Sequence, residues 1–320
     1  MIELFAGPGG LSLAARRLGI EGTGIEWDGA AVATRRAAGL PTVHGDVRKH
    51  GPADFPTARV LGAGPPCQTF TVAGSGTGRL EIARIVEAIK RMAARETVDT
   101  GMFADERTAL VLEPLRWVLE AVDAGRPYTA VVLEQVQAVL PVWRAYAAVL
   151  REEGYHVATG VLRTEQYGLP QTRRRAVLVA HRGIPVHLPE PTRRAYRKGV
   201  PQHEGDPTLL PWVSMGEVLD RPQPFTVISN YGTGGDPKNR GRRASVEPAF
   251  TVTGKISRFR IVDADGREQP RFTHGEAGVL QGFPADWPWA GRDIAQQIGN
   301  ACPVTLGEAL LRAAGIKAAA

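Results

Sequence analysis

Cysteine is nearly absent from this sequence: Cys67 and Cys302 are the two in 320 residues. They are too few for a disulfide framework and lack the paired spacing of a zinc site, so no metal is expected, and a cysteine in an unusual local setting is a candidate for chemistry. No run approaches the roughly 18–20 consecutive apolar residues that a membrane span needs. The opening Met1-Ile2-Glu3-Leu4 lacks the basic-then-apolar pattern of a secretory signal, which makes a cytoplasmic location the expectation. Extreme composition is missing as well. Hydrophobic residues make up 43% and charged residues 22%, which is ordinary globular usage and excludes disorder over most of the length. The length points to two domains, or to one large domain carrying a smaller one.

Charge is localised. Between His181 and Arg260, 13 Lys/Arg stand against 7 Asp/Glu, so this stretch accounts for the whole formal charge of +6. Two readings remain open on charge alone: a solvated basic surface, or a polyanion-binding module that gains by releasing counterions from phosphates.

Residues 1–180 alternate short β-type runs with amphipathic helical stretches, as a parallel, doubly wound α/β sheet requires. Strands are expected at Ile2–Phe5, Gly24–Glu26, Arg59–Leu61, Ala130–Leu133, His156–Leu162 and Ala176–Ala180, and helices at Leu11–Leu18, Ala30–Ala38 and Val139–Glu153. From about Gly183 the texture changes to Pro, Gly, Arg and Asn, with Trp212, Tyr231 and Phe259 interleaved among basic residues, and this reads as a second, smaller, irregular domain. A helix from Thr305 to Ala318 closes the chain. The expected division is 1–184 together with 286–320 as one domain and 185–285 as the other.

Phe5-Ala6-Gly7-Pro8-Gly9-Gly10 follows the first strand and opens the first helix, where glycines let a ligand approach the backbone near a helix N-terminus. The next strand ends in Glu26, placed to take ribose hydroxyls, and Asp46 follows the third, placed to accept from an adenine amino group. Three adjacent strand ends thus point to an adenosine-containing ligand. Gly64-Pro65-Pro66-Cys67-Gln68 follows the fourth strand, and its two prolines fix the backbone and aim the thiol. Inert core is the usual fate of a lone cysteine; this setting argues for an exposed nucleophile. Glu134 ends the fifth strand and points into the same crevice, either as a helix-capping carboxylate or as an acid beside the nucleophile. Arg173-Arg174-Arg175 reads as a solvated basic run or, with a strand following, as alternate arginines 173 and 175 on one side.

These motifs together resemble the cytosine-C5 DNA methyltransferases. Phe5–Gly10 is similar to that family's first motif, Gly64–Gln68 to its nucleophile motif, and Gln171-Thr172-Arg173-Arg174-Arg175 to its Gln-x-Arg-x-Arg motif. Gln281-Gly282-Phe283-Pro284 and Gln297-Ile298-Gly299-Asn300-Ala301 resemble its two late motifs, and the likeness covers Glu3 to about Pro303. The resemblance implies a Rossmann-like catalytic domain and a variable target-recognition domain near 185–270. It implies that Phe5, Glu26, Trp27 and Asp46 hold S-adenosylmethionine, with Ala6, Gly7, Gly9, Gly10, Pro66 and Asn300 lining the site. It also implies that Cys67 attacks carbon 6 of a flipped-out cytosine, that Glu134 contacts ring nitrogen 3 and Arg175 the ring carbonyl, and that Arg173 orders Glu134 or nearby backbone. Duplex DNA is the implied partner, contacted by Gln68, Arg79, Lys238, Arg240, Arg242, Arg243, Lys255, Arg258 and Arg260. A monomer accompanied by a cognate restriction endonuclease is the implied setting.

The chain departs from the family pattern in three motifs: Gln135 stands where Asn is usual, Thr273-His274-Gly275-Glu276 lacks the usual basic residue before Glu, and Ala301-Cys302-Pro303-Val304 stands where Ala-Val-Pro-Pro is usual. A larger departure is the stretch Leu80–Phe103, expected to form an extended catalytic loop, or a helix borne on one, that closes over DNA. Three rival readings are a catalytically silent DNA- or nucleotide-binding relative, a tRNA-methylating enzyme, and a pyrimidine-modifying variant of the same chemistry.

Overall fold

The computed structural model describes residues 1–66, 77–99, 101, 103, 105–230, 236 and 239–316, with 77–80 described as backbone only. Strands β1 (Ile2–Leu4), β2 (Thr23–Glu26), β3 (Thr42–His44), β4 (Val60–Ala63), β5 (Ala130–Val136), β6 (His156–Arg163) and β7 (Arg174–His181) form a seven-stranded sheet in the order β3-β2-β1-β4-β5-β7-β6. The order reverses between β1 and β4, and ligands of open α/β sheets bind at such a switch point, outside the carboxyl ends of the strands.

Helix α1 (Gly10–Arg17) follows β1 and α2 (Gly29–Ala37) follows β2. Between β4 and β5 lie α3 (Thr77–Ala93), α4 (Glu106–Ala109) and α5 (Glu113–Asp123), and α6 (Leu140–Glu152) links β5 to β6. Successive strand residues point to opposite faces, and the helices divide accordingly. On one face Leu61, Val131 and Leu133 pack with Ile85 of α3, Leu115 of α5 and Trp143 of α6. On the other, Ala130, Val132, Val177 and Val179 pack with Leu11 and Ala14 of α1 and with residues near the C-terminus. Each large side chain fully buried in this way contributes about 1.5–3 kcal/mol, which is why strands hydrophobic at every position are held between two helical layers.

Two expectations are corrected here. The sheet is mixed rather than parallel, because β7 runs antiparallel to both β5 and β6. The stretch after the nucleophile motif is packed as helix α3 rather than carried free on a loop, since Ile85, Ala88, Ile89 and Phe103 are buried in the main core. Its amphipathic period fits burial against α5 and α6, and the basic residues Arg84, Lys90 and Arg91 lie on the opposite, ion-paired side.

A second, four-stranded antiparallel sheet, β8 (Thr226–Ile228), β9 (Arg242–Ala244), β10 (Arg260–Val262) and β11 (Glu268–Gln269), has the order β11-β10-β8-β9. With it go α7 (Met215–Val218), α8 (His274–Leu280) and α9 (Ile294–Asn300), and α10 (Val304–Ala313) follows. The core of this part joins Met215, Phe225, Val227, Phe259 and Ile261 to Ala277 and Leu280 of α8 and Ile298 of α9. Helix α10 returns to lie along α1. Among the described residues, no helix is long and apolar enough to cross a membrane.

Gly10, expected among the cofactor residues, is also required by packing. A Cβ there would stand 2.0 Å from the Cys302 carbonyl oxygen, with the Cys302 carbonyl carbon and nitrogen at 3.1 and 3.3 Å. Gly10→Ala must push α1 away from the chain entering α10, so a loss of about 1–3 kcal/mol is expected. Chemical denaturation of the two proteins checks it: an unchanged midpoint would show that the contact relaxes freely.

Candidate active site

The turn after β1 is built from left-handed backbone: Phe5, Gly7 and Gly9 have φ of 57°, 53° and 105°. Glycine adopts this region without strain, whereas Phe5 does not, and strained residues of this kind gather at functional turns. A Cβ at Gly7 would meet nothing within 4 Å, so the turn faces open space, while Ala6 and Gly9 are buried beneath it. Glu26, at the end of β2, accepts the Gly7 N–H at 2.7 Å through Oε2 and the Asp28 N–H at 2.7 Å through Oε1. Burial pushes its carboxyl above the ordinary value, and those two N–H donors pull it back. Beside it the Trp27 indole is 68% exposed, an apolar surface left uncovered at the rim of a polar crevice. Asp46 caps a short 3₁₀ turn and accepts from Arg48 through both oxygens, at 2.9 Å from Nε and 2.7 Å from Nη2 on Oδ2. The Arg48 guanidinium holds the Asp46 carboxyl below its usual range, so the group expected to meet an adenine amino group already has a partner. Asn300 is exposed, and its side-chain oxygen accepts from Gln296 at 2.7 Å.

Gly64-Pro65-Pro66 leaves the end of β4, with Pro65 buried and Pro66 half-buried. Cys67, Gln68 and Lys238, and the side chain of Arg79, lie outside the described residues. Gln135, the extended replacement for Asn, donates through Nε2 to the Pro65 carbonyl and accepts the Val136 N–H. Its side chain therefore ties the segment entering the nucleophile motif to β5.

Glu134 lies within β5, which continues to Val136 rather than ending at Glu134 as expected. Its Oε1 pairs with Arg175 Nε at 2.6 Å, the two side chains being 10% and 11% exposed. The direction of β7 makes this pair possible. Arg175, near the start of that strand, stands opposite Val136 near the end of β5, whereas a parallel strand would have carried it to the far edge of the sheet.

Arg173 reaches backbone rather than Glu134. Its guanidinium is buried and donates to the carbonyls of Val252 at 2.7 Å and Gly299 at 2.8 Å. Gln171, fully buried, donates to Leu280 O at 2.7 Å and accepts the Val252 N–H at 2.9 Å. The first two polar positions of the Gln-x-Arg-x-Arg motif thus pin the second sheet and the late helices to the first sheet; the third, Arg175, alone reaches Glu134 within that motif's expected set.

A cleft of about 490 Å³ opens beside this pair, lined by Arg163, Arg174, Arg175 and Gln137 on one side and by Tyr196, Arg243 and Thr251 on the other. Arg163 and the buried carboxylate Glu165 were not singled out in the sequence, and Arg174 was named there only as part of the basic run. The even spacing of Arg163 from the strand interior is the available signal, because it puts a cation at the end of β6. Of the expected DNA contacts, Arg242, Lys255 and Arg258 are exposed and Arg240 is half-buried. Arg260 is exposed but paired with Glu268. Arg243 is enclosed between the rings of Tyr196 and Phe250, 4.2 and 4.8 Å from their centroids, and donates to Pro248 O at 2.8 Å. It braces the wall of the cleft.

A family model described as C-5 cytosine-specific DNA methylase matches residues 1–202. The Type II methyltransferase M.NlaX of Neisseria lactamica is 27% identical over 97% of this chain and 94% of its own length. M.NgoBI of Neisseria gonorrhoeae, also a Type II methyltransferase, is 28% identical over 96% and 90%. In fold the chain is similar to the Dnmt2 methyltransferase of S. pombe, with a TM-score of 0.63 at 18% identity over 97% of this chain and 96% of that one. The Entamoeba histolytica methyltransferase EhMeth gives 0.60 at 15% identity over 98% and 96%. With a glycine turn and Glu26 at one side of the switch point, the Glu134–Arg175 pair at the other and a family match over residues 1–202, the chain belongs to the C-5 cytosine-specific DNA methylases and is a DNA cytosine-5 methyltransferase.

Proposed function

We propose that the protein methylates carbon 5 of a cytosine flipped out of duplex DNA, through a transient bond between Cys67 and carbon 6, with S-adenosylmethionine as the donor. The observation that carries this reading is the enclosed Glu134–Arg175 pair at the carboxyl edge of the sheet, with Glu134 beside Gly64 at the start of the nucleophile motif. The crevice fits the donor: an open glycine turn, a half-buried carboxylate for ribose hydroxyls and an uncovered indole for a purine face. Bound S-adenosylmethionine supplies the methyl group. The Cys67 thiolate forms the sulfur–carbon 6 bond, and the displaced ring electrons move toward nitrogen 3, where a proton held by Glu134 stabilises them. Arg175 holds Glu134 and donates to the ring carbonyl. Carbon 5, made electron-rich by that addition, takes the methyl group with release of S-adenosylhomocysteine; the nitrogen 3 proton returns to Glu134, and loss of the carbon 5 proton to a base restores the 5,6 double bond as the carbon 6–sulfur bond breaks.

The cleft with Arg163 and Arg174 accommodates the strand around the flipped nucleotide, whose extrusion costs a few kcal/mol. Residues 185–285 form the target-recognition domain, and 1–184 with 286–320 the catalytic one. Similarity to Type II methyltransferases supports a restriction-modification setting with a cognate endonuclease.

Bisulfite sequencing of plasmid DNA from cells that express the protein tests the reading. Protected cytosines are expected in one fixed sequence context; complete conversion everywhere, with folded protein present, overturns it. Calorimetry tests the donor: Glu26→Ala removes charge-assisted acceptors and is expected to weaken S-adenosylmethionine binding by about 1.5–3 kcal/mol. Equal affinity in the two proteins would take Glu26 out of the site.

A further inference from the structure

The Ala6–Gly7 peptide unit of the glycine turn is held at both ends. Its N–H donates to Glu26 Oε2 at 2.7 Å, and its carbonyl accepts from Arg35 Nη1 at 3.2 Å. Arg35, on α2, is 0% exposed, while Arg36 beside it faces solvent. The remaining donors of Arg35 reach Thr42 Oγ1 at 3.0 Å, Ser12 Oγ at 3.1 Å and Pro41 O at 3.3 Å, with Glu3 Oε2 at 3.9 Å. Strand β2 passes so closely that a Cβ at Gly24 would meet Arg35 Nη2 at 2.1 Å. A guanidinium enclosed in this way is costly unless every donor is used, and here one donor is spent on the cofactor turn itself.

We propose that Arg35 is a positioning residue for the cofactor site: it fixes the Ala6 carbonyl so that the Gly7 N–H is aimed at Glu26, and it places a buried cation beneath the same turn. The inference rests on Glu26 taking the ribose hydroxyls, as proposed above. A cation on the carbonyl polarises the peptide and strengthens N–H donation at its other end. The charged and titratable groups around Glu26 are Arg35 from α2, Glu3 from β1, Asp28 just beyond β2 and His44 of β3, whose Nε2 lies 3.1 Å from the Trp27 carbonyl. Burial pushes the Glu26 carboxyl up; the Asp28 and Gly7 N–H donors draw it down, and the charge of Arg35 adds to them. Glu3 is itself pushed up to about 7 by burial, so near neutrality it gains charge as a second claimant on Arg35. Because the ionised carboxylate is the better acceptor, cofactor affinity rises as pH rises through the Glu26 pKa. Without Arg35 that rise moves to higher pH, and the deficit is largest at the acid end.

The test is calorimetry of S-adenosylhomocysteine binding to the full chain at pH 6.0 and 8.5, with thermal melts as a folding control. Arg35→Met is expected to bind about 30-fold more weakly at pH 6.0 and about 5-fold at pH 8.5, the extra loss in acid arising because Glu26 without that cation is more often protonated there. KM for the donor should rise in step while kcat at saturation changes far less, and Arg35→Lys should recover part of the affinity. The same loss at both pH values, or a loss confined to kcat, overturns the inference. Should Arg35→Met not fold, Arg35→Lys and Glu3→Gln decide. Glu3→Gln is expected to bind as wild type at pH 6.0 and no more weakly at pH 8.5, because it leaves Arg35 to Glu26; weaker binding at pH 8.5, or a deficit in Arg35→Lys that does not depend on pH, overturns it. If wild-type protein binds no S-adenosylhomocysteine at all, the cofactor assignment itself fails.

Discussion

Cys67→Ser is expected to bind DNA and S-adenosylhomocysteine yet transfer no methyl group, with a rate loss on the order of 10⁴–10⁶, as when an enzyme loses its nucleophile. The reason is nucleophilicity. An ordinary thiol ionises near pH 8.5 and is intrinsically reactive, whereas a serine hydroxyl without an adjacent base attacks a ring carbon poorly. The bond itself can be captured: a duplex with 5-fluorocytosine at the target should form a stable adduct, since fluorine cannot leave carbon 5 as the proton does. Peptide mass should place the adduct on Cys67. Cys302 is the control, because its thiol is pushed well above the ordinary value by burial and its carbonyl abuts Gly10. An active enzyme that leaves no adduct, or one that carries it on Cys302, contradicts the mechanism.

Glu134→Gln is the second large effect. The substitution keeps the shape of the side chain and removes the proton that stabilises nitrogen 3 during attack, so kcat is expected to fall by about 10²–10⁴ with a much smaller change in DNA affinity. Arg175→Met separates chemistry from stability. It leaves a carboxylate that is 10% exposed without its 2.6 Å partner, and removing one member of a buried pair costs about 3–5 kcal/mol. Arg175→Met should therefore melt well below wild type and also lose activity, while Glu134→Gln loses mainly activity. Single-turnover rates and thermal melts on both proteins check this. A Glu134→Gln enzyme with near-normal kcat would leave the pair a purely structural role.

The cofactor half of the site was legible because its signals are local. Glycine at Gly7 and Gly9 answers to φ at those residues, and the apolar runs of β1 and β2 with the helical periods after them set the two β-α units. Glu26 then falls at a strand end by chain order alone. The nucleophile motif and the family resemblance came from contiguous residues in the same way. Contacts that join distant segments were not legible. Arg173 bonds to carbonyls 79 and 126 residues away, so a basic run could not reveal it as a brace. Arg35 and Arg36 are alike in sequence, and only the packing of α2 on β2 sends one inward and the other to solvent. The stretch 80–103 has an amphipathic period, but a period says that one face is covered without saying by what, and the cover is the main core. The sequence by itself determined the glycine turn, the strand-end carboxylates, the thiol motif and the doubly wound pattern, since each depends on backbone preference or periodicity within a few residues. The tertiary structure alone decided the antiparallel course of β7, the Glu134–Arg175 pair it creates and the guanidinium beneath the cofactor turn, because strand direction and charge burial are fixed by what packs alongside.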